Sequence, residues 1–406
     1  MGGAFGGKES QAALIAVIVA LGADKTGCPC KLRLDRDDDM IMTGKRHDFV
    51  IDYDVGFDDF GRIQGIDFEF AARCGMSADL SGPVNDRAMF HCDNAYFLEN
   101  VRIVSHRCKT NTVSNTAFRG FGGPQGMFAI EYVIDDIARQ LGIDPLDVRR
   151  QNFYGHDERN TTPYQQVVDD NILDELFDRL VQSSDYEARR AAIREFNAGS
   201  KLLRKGIAIT PVKFGISFTS TLLNQAGALV HLYRDGSVQL NHGGTEMGQG
   251  LYVKVAQVVA DELGISIDRV RTTAADTSKV PNASATAASS GSDMNGRAAQ
   301  KAAAKIRKRL TAFAAKQYAV SEAEVDFRGD KVYVAERIME FEALVQAAWA
   351  ARISLSATGF YRTPKINYDR ATFSGRPFYY FAYGAAVTEV VVDTLTGEHR
   401  ILRVDI

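Results

Sequence analysis

Apolar and polar positions along the chain fall into segments of recognisable period. The run Ala12 to Ala20 follows a glycine-rich turn, and residues 10–21 are predicted to form a buried helix. Polar and apolar residues alternate in Phe49-Val50-Ile51-Asp52-Tyr53 and again in Ile66-Asp67-Phe68-Glu69-Phe70, which predicts two strands. The turn Asp59-Phe60-Gly61 joins them as a hairpin. Behind Pro124, Met127, Ile130, Val133, Ile134 and Ile137 recur at helical spacing, and that helix is expected to end near Gly142. Asp144-Pro145 places an N-cap before a proline at the first helical position and opens a shorter helix to Asn152.

Further helices are predicted over 171–182 and 186–197. Strands at 226–234 and 237–242 flank Asp235-Gly236, a hairpin turn. Helices at 249–263, 293–318 and 339–350 follow, with strands near 354–360 and 380–392. Strands and helices are interspersed without a regular βαβ spacing, so the expected class is α+β, with two mixed α/β subdomains. The polar stretch His156 to Thr162 is the best boundary, giving 1–157 and 158–406. No repeat marks a solenoid. Leu402 to Ile406 reads as a strand still running, and Met1 is followed at once by a glycine turn. Both ends therefore read as cut, the second subdomain being incomplete at its C-terminus.

Composition narrows the class further. The 406 residues carry 48 Lys plus Arg against 51 Asp plus Glu, a net charge of −3, and no basic block. That argues against a partner nucleic acid held by bulk charge. A 45% hydrophobic share supports a sizeable core and excludes disorder. The longest apolar run is too short to span a membrane, and no charged segment precedes it as in a signal peptide. Five cysteines, an odd number, suit the reduced thiols of a cytoplasmic protein better than a disulfide framework.

The candidate chemistry lies in clustered glycines. Gly2-Gly3-Ala4-Phe5-Gly6-Gly7-Lys8-Glu9 has the spacing of a phosphate-binding P-loop, but Glu9 replaces the hydroxyl residue that holds magnesium and places a carboxylate where phosphates would sit. A nucleoside triphosphatase is therefore disfavoured. Ala117 to Gly126, Gly243 to Gly250 and the small-residue segment Thr286 to Asp293 each lead into a predicted helix as well. A glycine turn before a helix is an ordinary structural feature. Four in one chain suggest helix N-termini gathered round one extended anionic cofactor bearing a phosphate. None follows a strand as G-x-G-x-x-G, which disfavours a dinucleotide fold. Arg119 is either an exposed surface residue or a paired one, Arg87 reads as an ordinary ion-pair partner, and Phe218-Thr219 read as part of a buried strand. The histidines show no metal spacing, and Cys28-Pro29-Cys30 has no second pair to complete a zinc or iron–sulfur site.

These loops, with Lys213 to Thr219 and Thr358 to Pro364, closely resemble the molybdopterin-binding region of the xanthine dehydrogenase/oxidase family, in the same order along essentially the whole chain. The resemblance implies the molybdopterin-binding part of a large subunit that hydroxylates purines such as hypoxanthine and xanthine with water as the oxygen source. It implies a molybdopterin cofactor carrying molybdenum, with no side chain of this chain ligating the metal. FAD and [2Fe-2S] centres are expected on a partner chain or on segments outside this one, which implies a hetero-oligomer. By position, Glu9 and Arg87 match the catalytic pair, Glu9 hydrogen-bonding the purine and Arg87 offsetting charge that develops on its oxo group. Phe121 and Phe218 match the aromatic pair that sandwiches the ring, with Arg119 and Thr219 lining the same pocket. Phe5, Gly6, Arg119, Met247, Gly248, Gln249, Ala288 and Ser289 match the cradle of the cofactor. Glu9 together with Arg87 favours a purine over an aldehyde. The family's catalytic base sits in a Gly-Glu-Pro-Pro segment that this sequence lacks, so Glu9 is expected to bind substrate rather than act as the base. Two other readings stand beside this one: a non-catalytic fragment that associates with partner subunits, and a relative that oxidises an aldehyde or another N-heterocycle.

Overall fold

Turn chemistry and side-chain period place most of the elements. The structure is a computed structural model that describes residues 3, 5–276, 278–279 and 283–406. Gly2 and Ala4 of the first glycine loop lie outside the described residues. Up to residue 216 the chain forms α1 (Ala12–Thr26), α2 (Arg36–Met42), β1 (Phe49–Phe57), β2 (Ile63–Gly75), α3 (Ser81–Phe90), β3 (Val101–Lys109), α4 (Gly123–Leu141), α5 (Pro145–Asn152), α6 (Leu173–Ser183), α7 (Tyr186–Gly199) and β4 (Leu203–Ile216). Then come β5 (Gln225–Leu232), β6 (Val238–His242), α8 (Leu251–Leu263), β7 (Val270–Thr272), α9 (Gly291–Tyr318), β8 (Val325–Arg328), β9 (Lys331–Val334), β10 (Arg337–Glu340), α10 (Phe341–Ala350) and β11 (Ser356–Arg362). The last strands are β12 (Asn367–Asp369), β13 (Ser374–Arg376), β14 (Tyr380–Asp393) and β15 (His399–Asp405). The class is α+β, as expected from the mixed order of elements.

The chain folds into two compact units, a larger one of Phe5–Gly215 with Tyr368–Ile406 and a smaller one built on Ile216–Asn367. The expected division at 157/158 falls inside the larger unit. There the polar stretch from residue 156 to 162 is a loop tied back on itself, with Gly155 N donating to Arg159 O at 3.0 Å and Val168 N to Asn160 O at 2.7 Å.

In the larger unit β1 runs antiparallel and β3 parallel to β2, and a second sheet has the order β15-β14-β4. Phe68 and Phe70 of β2 share a core with Ile130, Val133, Ile134 and Ile137, the apolar stripe of α4. Proline in the first turn starts α4, and Gly142, left-handed at φ 68°, ends it by returning its N–H to Ala138 O. Asp144 caps α5 by accepting from Leu146 N at 2.9 Å. The helix predicted near residue 12 forms, but the expectation that it is buried is corrected. None of its residues is buried, and Leu14, Val17, Ile18 and Leu21 are all exposed. Its apolar residues surround the axis, so the sequence gives no face by which to orient it.

The smaller unit holds a sheet of order β11-β5-β6-β7 with α8 and α9 in one core, and a three-stranded sheet of order β10-β9-β8. The helix expected from residue 339 begins at Phe341 because 337–340 pair with β9 instead. Alanines 298, 299, 302 and 303 let α9 approach β11 closely, and a Cβ on Gly359 would fall 2.0 Å from Ala298 O. One cationic ladder on α9 closes the free edge of that sheet. Lys301 donates to Phe360 O at 3.1 Å, Lys305 to Thr358 O at 2.9 Å, and Arg309 to Ser356 O at 2.8 Å and Ser354 O at 3.0 Å. Four helix residues advance about 6 Å and two strand residues about 6.6 Å, so the two repeats stay in step. Among the described residues no helix is long and apolar enough to cross a membrane.

Candidate functional site

In the larger unit the first two glycine loops lie on one another. A Cβ on Gly6, whose φ is +97°, would stand 2.6 Å from Ala117 O, so only glycine lets the first loop rest on the second. Beside it Phe5 is exposed, and the exposed Arg119 guanidinium lies 6.0 Å from its ring centroid. Arg46 donates to Arg119 O at 2.7 Å and covers the Phe118 ring at 4.4 Å. Glu9 pairs with its neighbour Lys8 at 3.0 Å. Sequence reading missed the residue that joins the loops, Asp79. Its carboxylate accepts from Ser10 Oγ at 2.9 Å, Gln11 Nε2 at 3.0 Å, Thr116 Oγ1 at 2.8 Å and its own neighbour Leu80 N at 2.6 Å. An isolated aspartate carries no motif, so only the fold reveals this role.

The second loop turns through Phe121, half-buried and left-handed at φ 54°, before entering α4. A Cβ on Gly122 would fall 2.0 Å from Val84 O, and one on Gly126 2.2 Å from Ala88 O. These two glycines seat α4 directly on α3, the helix that carries Arg87. Arg87 is only 3% exposed. Its guanidinium lies 4.7 Å from the Phe214 ring centroid and 5.1 Å from that of Phe378, and one terminal nitrogen donates to Gly215 O. Cation–π contact with two rings offsets part of its desolvation. Burial lowers its pKa to about 10, which leaves it charged at neutral pH. It is not the simple surface ion pair that its sequence context suggests.

A second buried charge lies beside it. Lys213 and Asp93, each with a side chain 1% exposed, pair at 3.2 Å, and Tyr154 Oη donates to the same carboxylate oxygen at 2.6 Å. The ammonium sits 4.2 Å from the Phe381 ring centroid. Burial raises the pKa of Asp93 and lowers that of Lys213. Removing either partner would strand a charge in an aromatic cluster.

In the smaller unit, Phe218 and Thr219 are not in a strand; the correction has a specific cause. Strand β4 stops at Ile216, and Asn224 takes over both backbone groups of Phe218. Asn224 Oδ1 accepts from Phe218 N at 2.9 Å, and its Nδ2 donates to Phe218 O at 2.9 Å. Asn224 is 1% exposed and was also missed, since a buried asparagine in a loop has no sequence signature. The third and fourth loops are joined by Thr245 N donating to Thr286 Oγ1 at 2.9 Å. Gln249 closes the third loop, accepting from Met247 N at 2.6 Å and donating to Thr245 O at 2.9 Å.

The expectation that this third helix N-terminus awaits an anion is corrected. The carboxylate of Glu246 accepts from Gly248 N at 2.8 Å, Gly250 N at 3.0 Å and Tyr252 N at 3.0 Å, so the chain supplies its own anion there. Those amides hold the Glu246 pKa below the ordinary carboxylate value. What the loops do offer is open backbone. Gly248 and Gly250 are left-handed, at φ +99° and +75°, and a Cβ on either would meet no atom within 4 Å. Ala288 and Ser289 are both left-handed as well, at φ 57° and 58°. Gly248 and Ser289 are exposed, so a planar ligand such as a pterin could approach the backbone closely there. The open space beside these glycines fits close approach of the implied cofactor to the backbone.

The molybdopterin cofactor-binding domain family matches the chain over residues 1–153 and again over 179–406. A xanthine dehydrogenase/oxidase of Mus musculus is 46% identical over 406 residues, covering 100% of this chain and 29% of that protein. A nicotinate hydroxylase of Emericella nidulans is 42% identical over 413 residues, again covering 100% of this chain and 29% of that protein. The chain therefore spans less than a third of the length of the curated relatives it matches. Among solved structures, the CO dehydrogenase of Oligotropha carboxidovorans superposes with a TM-score of 0.83 at 21% identity, over 96% of this chain and 50% of that one, which speaks for the fold. Matched in both halves, and aligned end to end with xanthine dehydrogenases, this chain belongs to the molybdopterin cofactor-binding domain family.

Proposed function

We propose that the chain is the molybdopterin-binding part of an enzyme that hydroxylates purines at a ring carbon, as in the conversion of hypoxanthine and xanthine to urate. The observation that carries this reading is Arg87, a charged guanidinium buried on α3 and braced by Phe214 and Phe378. A cation fixed in an apolar surround favours negative charge developing nearby more strongly than one in water, because no solvent must reorganise to meet it. A purine oxo group acquires such charge as the ring is attacked. The molybdenum cofactor, when bound, supplies the redox centre that takes two electrons from the substrate carbon.

The other roles fall to this chain's own residues. Glu9 accepts a hydrogen bond from a ring N–H and so orients the purine. Phe121 and Phe218 bound the ring, and Arg119 and Thr219 line the pocket. Phe5, Gly6, Met247, Gly248, Gln249, Ala288 and Ser289 hold the cofactor, chiefly through backbone groups. Electrons leave to FAD and iron–sulfur centres outside this chain, which makes the working unit a larger assembly. Free thiols at all five cysteines suit a reducing cytoplasm.

The 42% identity to a nicotinate hydroxylase favours a second reading, hydroxylation of a nicotinate-type N-heterocycle carrying a carboxylate. Both readings are tested on the purified enzyme that contains this chain, by metal analysis and by dye reduction with xanthine or nicotinate. Molybdenum near one per chain with xanthine-driven reduction is expected. Nicotinate as the sole reductant would favour the second reading, and a chain without molybdenum would remove both.

A further inference from the structure

His91 closes a hydrogen-bonded circuit around Arg87. It is four residues further along, at the C-terminal cap of α3, and is 1% exposed. Its Nδ1 stands 3.0 Å from Arg87 O, and its Nε2 3.1 Å from Gly215 N. A carbonyl can only accept and an amide N–H can only donate. The ring is therefore neutral, with its proton on Nδ1. Gly215 in turn accepts from the Arg87 guanidinium through its carbonyl. The backbone of Arg87, the imidazole, residue 215 and the Arg87 side chain thus form one closed loop.

The aromatic walls are shared too. The His91 ring lies 4.8 Å from the Phe214 ring and 5.3 Å from that of Phe378, the two rings that brace the guanidinium. Burial and the charges of Arg87 and Lys213 all disfavour a proton on His91. A protonated ring would lose the bond from Gly215 N and place a second cation beside the first.

We infer that His91 is a positioning residue for Arg87, setting the guanidinium's direction by fixing Gly215 from the amide side while Arg87 binds the same residue from the carbonyl side. The inference rests on the proposed role of Arg87 toward a purine. It differs from a plain helix cap, for which the Nδ1 bond to Arg87 O would suffice.

Two substitutions separate these roles, because each preserves half of the imidazole. In His91→Asn the amide nitrogen reaches the position of Nδ1 and keeps the cap, but no acceptor remains for Gly215 N. In His91→Gln the longer side chain presents an oxygen near the position of Nε2 and keeps the acceptor. The measurements are made on the molybdenum-loaded enzyme containing this chain, with Arg87→Met as a control. Hydrogen exchange at the Gly215 amide reads the circuit, and kcat/KM for xanthine reads its consequence. His91→Asn is expected to expose the Gly215 amide and to lower kcat/KM about tenfold, the loss of one buried hydrogen bond. His91→Gln is expected to retain both. Unchanged Gly215 exchange in His91→Asn overturns the inference, as does full activity there when Arg87→Met is impaired. Should Arg87→Met itself be fully active on xanthine, the purine role of Arg87 fails and the positioning role fails with it.

Discussion

The Thr116 hydroxyl donates to the Asp79 carboxylate at 2.8 Å, and the same carboxylate receives Ser10 Oγ at 2.9 Å. One acid thereby ties the end of the first glycine loop to the segment that enters the second. Asp79→Asn preserves size while replacing one acceptor oxygen with a donor, which leaves a hydroxyl unsatisfied. A loss of about 1–3 kcal/mol is expected, read as a lower urea midpoint with an unchanged slope. An unaltered midpoint would show that the loops hold together without it.

Glycines 122 and 126 test the seating of α4 on α3. Alanine at either would force its Cβ to within 2.2 Å or less of a helix carbonyl, so a loss above about 3 kcal/mol or failure to fold is expected. Gly199 is the contrast. It lies in the last turn of α7 with nothing within 4 Å of an added Cβ, and Gly199→Ala should stabilise by up to about 1 kcal/mol. Equal effects at the two kinds of site, in thermal unfolding, would contradict the packing described.

Removing the ladder on α9, with Lys301, Lys305 and Arg309 all changed to alanine, should leave the fold intact and uncover the carbonyls of β11. Free sheet edges template pairing with other chains. The triple variant is expected to associate at concentrations where the unaltered chain does not, as read by light scattering. Matching scattering curves would mean that the cations close nothing.

Acid sensitivity should follow the buried imidazoles. Burial lowers the His242 pKa from 6.5 to about 4. Between those values the unfolded chain binds a proton that the folded chain refuses. Stability is therefore complete above pH 6.5 and falls as the pH is lowered toward 4, by up to about 3 kcal/mol from this residue. His91, displaced in the same direction by burial, adds to the slope with the same sign. His242→Gln should flatten the difference in unfolding midpoint between pH 7 and pH 5. A difference that stays the same would place the acid sensitivity elsewhere.

What was legible in the sequence follows from which forces act locally. Helix α4 was readable because Pro124, Gly142 and five apolar residues at helical spacing agree on one answer. The hairpin of β1 and β2 was readable for the same reason, a turn and an alternation that reinforce each other. Helix α3 was not. It contains Gly82 and Pro83 near its start and buries Asn85, Asp86 and Arg87, so it has neither the propensity nor the stripe of an ordinary helix. Tertiary contact holds it, through Gly122 and Gly126 of a segment some 40 residues away. The same divide runs through the site. Glycine loops were visible as clusters, whereas Asp79 and His91 act through bonds to groups distant in sequence, and Asn224 through an irregular loop, none of which a local pattern records. Glu246 stands between these cases. An acid two residues before a glycine pair could have been read as a cap, and would have removed the anion from that helix start.

The proposed role of Arg87 is to stabilise charge on a purine. It is tested most directly by steady-state xanthine oxidation in an Arg87→Met enzyme, since methionine fills similar space between Phe214 and Phe378 without charge. A fall in kcat/KM of about 10²–10³-fold is expected, with molybdenum content near that of the unaltered enzyme. Xanthine turnover that persists unchanged in that variant would contradict it.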